Sequence, residues 1–200
     1  MTTPTLPGVA PAVTGHQAGA AGPRRPLVIG CDLSLTSTGV AGDGWTDRIR
    51  PPGRLRGDAR LRHVRDTVVS YIRNADLVVI EGPAYRHAAM AGHEDLAGLR
   101  VLVRVYCYSH DIPYALVPPA SLKQYVTGHG NASKGRVRTA VAELYGIRTE
   151  GPARYDEADA YGLAAAGLDW LGHPLAAVPE EQREALAGVQ WPSREAVTGP

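Results

Sequence analysis

The stretch PLVIGCDLSLTSTGVAGDGWTDRI, residues 26–49, decides the fold. Leu27 through Cys31 is a short apolar run ending in Asp32, the pattern of a buried strand. Thr38–Ala41 and Trp45–Ile49 are two further short runs, and the Gly42-Asp43-Gly44 turn between them predicts a hairpin. The acid is the unusual feature, because an unpaired carboxylate at the end of a buried strand is costly to desolvate.

Outward from this stretch, strand and helix patterns alternate. From Gly57 to Asn74, apolar residues recur at Leu61, Val64, Val68 and Ile72, which predicts an amphipathic helix. Leu77-Val78-Val79-Ile80-Glu81 is a second buried strand that ends in an acid, and Gly82-Pro83 stops it. Residues 92–110 predict a helix with Leu96, Leu99, Leu102, Val103 and Tyr106 on one side and Val101 and Val105 carrying apolar surface to the other. Pro113–Val117 is a third buried strand, closed by Pro118-Pro119. Ser133 can cap a helix running to Tyr145, with Gly146 as its stop, and a last helix runs from about Asp156 to Leu171. This order predicts an α/β fold, a mixed central sheet flanked by helices, with the hairpin beside a parallel part. The expected organisation is a flexible tail over 1–25, one domain over 26–172, and a C-terminal tail over 173–200 with at most one short helix at 179–187.

Composition narrows the functional classes. No stretch approaches 18 consecutive apolar residues, so no membrane span is expected. The first residues lack a basic segment followed by an apolar run, so they do not read as a secretory signal. Cys31 and Cys107 are too few for a disulfide framework or a four-ligand zinc site. Both have apolar neighbours and read as buried thiols in a reducing, cytoplasmic setting. Net charge is +1, from 21 basic and 20 acidic residues, which by itself argues against a generic polyanion binder.

Four acids reopen that question. Asp32 ends one apolar strand and Glu81 another, and sites in open α/β sheets are built at the carboxyl ends of parallel strands. Asp156 and Asp159 stand three apart at the start of the last helix and share one face, where the helix N-terminus favours negative charge. Four carboxylates can meet only if a cation offsets their repulsion. All the donors are oxygen, so the expected cofactor is Mg²⁺. Two ions about 4 Å apart would suit phosphodiester hydrolysis, activating water and stabilising the leaving oxygen.

These residues match a family. Val28-Ile29-Gly30-Cys31-Asp32 followed by Thr38-Gly39-Val40-Ala41 resembles the opening of the RuvC-type Holliday-junction resolvases. Val78-Val79-Ile80-Glu81 resembles that family's second acidic strand. Ser121-Leu122-Lys123-Gln124 with Gly128-His129-Gly130-Asn131-Ala132-Ser133-Lys134 is similar to its lysine-bearing segment, and Asp156-Glu157-Ala158-Asp159-Ala160 to its final acidic helix start. The resemblance implies an RNase H-like fold, a homodimer, and a metal-dependent endodeoxyribonuclease that nicks opposed strands of a four-way DNA junction. It also implies that Asp32, Glu81, Asp156 and Asp159 hold two Mg²⁺ ions, with Mn²⁺ substituting. Leu33-Ser34 replaces the family's usual Pro-Gly after the first acid and resembles a phage-like variant. Ala84 stands where the family often carries an aromatic that enters the junction, and Tyr85, one residue on, is the candidate wedge.

Basic residues are the expected DNA contacts. The chain has only two lysines, Lys123 and Lys134, and both lie within 121–136. Lys134 follows the cap Ser133, so an ammonium and free helix N–H groups can meet one phosphate. Residues 48–65 hold seven arginines, Arg54 and Arg56 among them, against one acid, and read as a track for a DNA arm. The doubly apolar 92–110 helix is the candidate dimer interface. His87, His93 and His129 are further site neighbours to test. The competing readings are a non-catalytic junction-binding module, a nuclease for flaps or forks, and a sugar-kinase or actin-type phosphotransferase, for whose second domain the chain leaves no room.

Overall fold

Five short strands, β1 (Val28–Asp32), β2 (Thr38–Gly42), β3 (Trp45–Ile49), β4 (Leu77–Glu81) and β5 (Tyr114–Val117), form one sheet in the order β3-β2-β1-β4-β5. The computed structural model describes residues 24–83, 93–149, 151 and 154–199. β1, β4 and β5 run parallel, and β2 and β3 add an antiparallel hairpin at the β1 side. Gly42 pairs with Trp45, so the turn is the two residues Asp43-Gly44. Gly44 takes φ +78°, a conformation that favours glycine in such a turn.

Strand alternation divides the core into two layers. Ile29, Cys31, Val78 and Ile80 face α1 (Gly57–Ile72) and α2 (His93–Ser109), packing against Val64, Val68, Leu99, Val103 and Cys107. Val28, Leu77 and Val79 face the opposite layer, which holds α3 (Pro119–Thr127), α4 (Lys134–Tyr145) and α5 (Tyr155–Trp170). α3 is not anticipated by the Pro118-Pro119 pair, which reads locally as the end of a strand. Pro119 occupies the first helical turn, where its missing N–H breaks no helical bond.

α5 is the central helix, buried on every side from Glu157 to Leu168. Small residues let it lie close to the sheet. A Cβ on Gly30 of β1 would stand 2.0 Å from the Ala160 carbonyl oxygen, and one on Gly39 of β2 would stand 1.9 Å from that of Asp156. Backbone meets backbone at both places, so neither position has room for a methyl group.

The C-terminal residues pack onto the same layer. α6 (Glu180–Arg183), a single 3₁₀ turn (Glu184–Leu186) and α7 (Arg194–Thr198) follow α5. Val178, Leu186, Val189 and Val197 are buried in the α5 core, and Trp191 stacks on Trp170 with ring centres 5.0 Å apart. Arg183 Nε pairs with Asp169 Oδ2 at 2.9 Å. The segment therefore carries two short helices, because its apolar residues find partners far away in sequence. Before the sheet, Arg24 pairs with Asp76 and Arg25 with Asp43. Residues 1–23 lie outside the described residues.

Candidate active site

Strand register brings the first two acids together. Cys31 pairs with Ile80 across the parallel β1–β4 ladder, so Asp32 and Glu81 are the next residues on adjoining strands. Asp32 shares the parity of Gly30, and Glu81 that of Val79, so both turn toward α5. The loop after Asp32 is closed by Thr38, whose hydroxyl donates to the Ser34 carbonyl at 2.7 Å and accepts from the Ser34 N–H at 2.9 Å. Leu33-Ser34 thus forms a side-chain-closed turn where proline and glycine would otherwise shape the backbone.

α5 supplies the other two acids. Gly39 seats its first turn directly against β2, bringing Asp156 and Asp159 to the ends of β1 and β4. Asp32 and Asp159 are buried at 6% and 5% exposure. Burial, then the charges of Glu81, Asp159 and Asp156, hold the Asp32 carboxyl well above its ordinary range. Asp159 is pushed up to about 7, first by burial and then by Glu81. Burial also raises Glu81, while a side-chain hydrogen bond with Asp32 and the charges of Lys134, Arg100 and Lys123 pull it back. The four acids therefore act on one another as a single cluster.

Lys134 enters this cluster. Its ammonium stands 3.3 Å from Asp156 Oδ1 and 4.0 Å from Asp159 Oδ2. Burial works against its charge, but Asp32, Asp156 and Asp159 outweigh burial and raise its pKa. Ser133 caps α4 by accepting the Arg136 N–H at 3.3 Å, as expected from the sequence, and this fixes where Lys134 starts. Lys123, on the unanticipated α3, is partly exposed and its charge reaches Glu81 and Asp159.

Other sequence candidates lie elsewhere. Arg54 and Arg56 are exposed ahead of α1, in the layer opposite α5. Arg54, Arg62 and His63 line a groove of about 630 Å³ there. His93 opens α2, and His129 is exposed with Nδ1 3.0 Å from the Thr127 carbonyl oxygen. Tyr85, Ala84 and His87 lie outside the described residues. Arg100 was not anticipated; a helix arginine inside an apolar periodicity gives no local sign that it will reach Glu81.

Among the described residues, no group of three or more His, Cys, Asp or Glu side chains already closes around one point as a metal site. The donor chemistry nevertheless fits a hard divalent cation. Every member of the cluster is a carboxylate, and three of the four are held above their ordinary range by burial, Asp32 and Asp159 also by the neighbouring negative charges. A nearby cation would relieve that cost, as the Lys134 ammonium does in part.

No family model matches the chain. Individual relatives do. The crossover junction endodeoxyribonuclease RuvC of Frankia alni is 30% identical over 161 residues, covering 74% of this chain and 80% of that protein. The chain belongs to the RuvC family. The RuvC of Cutibacterium acnes is 29% identical over 172 residues, covering 82% of this chain and 81% of its own length. Among solved structures, Thermus thermophilus RuvC matches with a TM-score of 0.57 at 22% identity, over 76% of this chain and 99% of that one. The same protein in complex with a Holliday junction substrate matches at 0.58, over 77% and 99%. The fold is thus the RNase H-like fold of RuvC, as the strand order and the central α5 also indicate. Among the described residues, no helix is long and apolar enough to cross a membrane.

Proposed function

We propose that this RuvC-family chain is a metal-dependent, structure-selective endodeoxyribonuclease that resolves four-way DNA junctions by phosphodiester hydrolysis. The observation that carries this reading is the meeting of Asp32 and Glu81 on adjoining strand ends with Asp156 and Asp159 near the start of α5. These four carboxylates hold the cofactor, which we take to be two Mg²⁺ ions with Mn²⁺ able to substitute. When bound, such cations supply an activated water and charge stabilisation at the leaving oxygen. The carboxylates orient the cations through rigid elements, since two stand on paired strands and two on a helix docked by main-chain contact. Lys134 and the free N–H groups at the start of α4 are disposed to hold a phosphate beside the cluster, and Lys123 adds charge from α3. Arg54 and Arg56 begin a basic surface suited to the backbone of a junction arm, and Tyr85 is our candidate for the wedge.

We further propose a homodimer formed through α2. Val101, Val105 and Tyr108 are 50%, 54% and 80% exposed on this helix, and Leu102 adds to the patch. A two-fold pair of active sites would match the symmetry of a four-way junction.

The test is a panel of four-way junction, fork, flap and linear duplex, each with Mg²⁺ or EDTA. The expected result is Mg²⁺-dependent cutting of the junction in preference to the other substrates. Asp32→Asn should abolish cutting while leaving junction binding measurable; normal cutting by that variant would overturn the assignment. Junction binding without cleavage under any divalent cation would favour the non-catalytic reading, and preference for flaps or forks would relocate the substrate.

A further inference from the structure

A fifth carboxylate stands between the two helix-borne ligands and takes no part in the cluster. Glu157 is 4% exposed, yet its side chain turns toward the hairpin and not toward Asp32 and Glu81. Thr46 Oγ1 of β3 donates to Glu157 Oε2 at 3.0 Å. Arg48 Nε, also on β3, and Arg154 Nε, just ahead of α5, each lie 3.8 Å from Oε1. Burying an unneeded carboxylate is unfavourable unless it is paired and hydrogen-bonded, and this one is both.

Position explains the effort. Successive helical residues are about 100° apart, so Glu157 points to a different side from Asp156 and Asp159. Its two partners outside the helix, Thr46 and Arg48, are on β3, while the Gly39 contact that seats the same turn is on β2. Gly39 controls how closely α5 approaches the sheet; it does not by itself prevent the helix from turning about its axis. A turn of about 20° would swing a carboxylate carried some 5 Å from that axis by roughly 2 Å. A displacement of that size would spoil the oxygen geometry that a bound cation needs.

We propose that Glu157 is a positioning residue: held to β3 by Thr46 and the Arg48 guanidinium, with Arg154 adding charge from its own helix end, it fixes the rotation of α5 and so the placing of Asp156 and Asp159. This rests on the assignment of those two acids as ligands. It makes the hairpin part of the active-site scaffold.

The test uses the full chain with Mn²⁺ as the probe, comparing wild type with Glu157→Gln, Glu157→Ala and Thr46→Val. Glu157→Gln keeps an acceptor for Thr46 and loses the charge; Glu157→Ala loses both. Partners that orient ligands typically change metal affinity by about 10–100-fold. Glu157→Ala should accordingly raise the half-saturating Mn²⁺ for junction cleavage by about tenfold or more. It should also shrink the Mn²⁺-induced rise in melting temperature, read without DNA. Junction binding in EDTA should stay within about twofold of wild type, since no DNA contact is removed. Glu157→Gln and Thr46→Val should fall between, and saturating Mn²⁺ should restore most of the cleavage rate. Variants that melt earlier in EDTA but keep the wild-type Mn²⁺ dependence in both assays would reduce Glu157 to a stabilising ion pair and overturn the proposal. Absence of any Mn²⁺ effect on wild-type melting, with Asp32→Asn cutting normally, would instead sink the metal-site assignment itself, and this inference with it.

Discussion

Asp159→Asn should make the cation-free protein more stable at pH 8, although it removes a proposed ligand. The Asp159 carboxyl is raised from 3.8 to about 7, chiefly by burial and then by Glu81. The folded state therefore binds this proton more tightly than the unfolded state does. Stability from the group is unimpaired below pH 4, falls as pH rises from about 4 to 7, and reaches its full deficit above 7. At about 1.4 kcal/mol per pH unit, that deficit is roughly 4 kcal/mol. An amide cannot ionise and escapes it. For a chain of this size, 1 kcal/mol moves the melting temperature by about 2–4 °C. The variant should then melt about 8–16 °C above wild type in EDTA at pH 8, with the gap closing toward pH 4. Mg²⁺ should reverse the order, because a cation that binds only the native state stabilises wild type by mass action and finds a weakened site in the variant. Scanning calorimetry at pH 4.5 and 8, with EDTA or Mg²⁺, measures all four conditions. A variant that melts at or below wild type in EDTA at pH 8 would refute the reasoning, since the buried charge would then carry no deficit.

Three more outcomes test other links. Gly39→Ala should lower cleavage by about a hundredfold or more while leaving the sheet formed, because its methyl group would meet the Asp156 backbone; circular dichroism alongside single-turnover kinetics checks this. Val105→Asp together with Tyr108→Arg should convert a dimer to monomer in sedimentation velocity, and an unchanged sedimentation coefficient would move the interface away from α2. Arg54→Ala with Arg56→Ala should weaken junction binding and flatten its dependence on salt by about one to two counterions, which a titration at several salt concentrations measures.

The features legible in the chain are those written by local rules. The β1 strand, its terminal acid, the Asp43-Gly44 turn and the Ser133 cap depend on near neighbours in sequence, and each is where its pattern predicts. The parity of Asp32 and Glu81 follows from strand alternation once β1 and β4 are known to pair. What stayed hidden depends on distant partners. Nothing near Lys134 says that its ammonium will meet Asp156 and Asp159, 22 and 25 residues later. Glu157 looks like an ordinary first-turn acid until β3 supplies Thr46 and Arg48. α3 was obscured because Pro118-Pro119 serves a strand end and a helix start equally well. The C-terminal segment reads as a tail by composition, but buried Val178, Leu186, Val189 and Val197, the Trp170–Trp191 stack and the Arg183–Asp169 pair tie it down.

The contacts at Gly30 and Gly39 are main chain against main chain, and this separates the site's dimensions from side-chain motion. Core side chains hop between rotamers, and a helix held off a sheet by leucines would transmit those hops to whatever it carries. Here the distance between the sheet and the backbone of α5 is set by atoms with no rotamers to exchange. The gap should therefore stay constant over temperatures at which the surrounding core loosens, and activity should be lost abruptly, with global unfolding, and not by gradual drift. It also means that the helix-to-sheet distance is recorded in two residues with no functional groups, so a search for the site's determinants confined to charged side chains would pass over them.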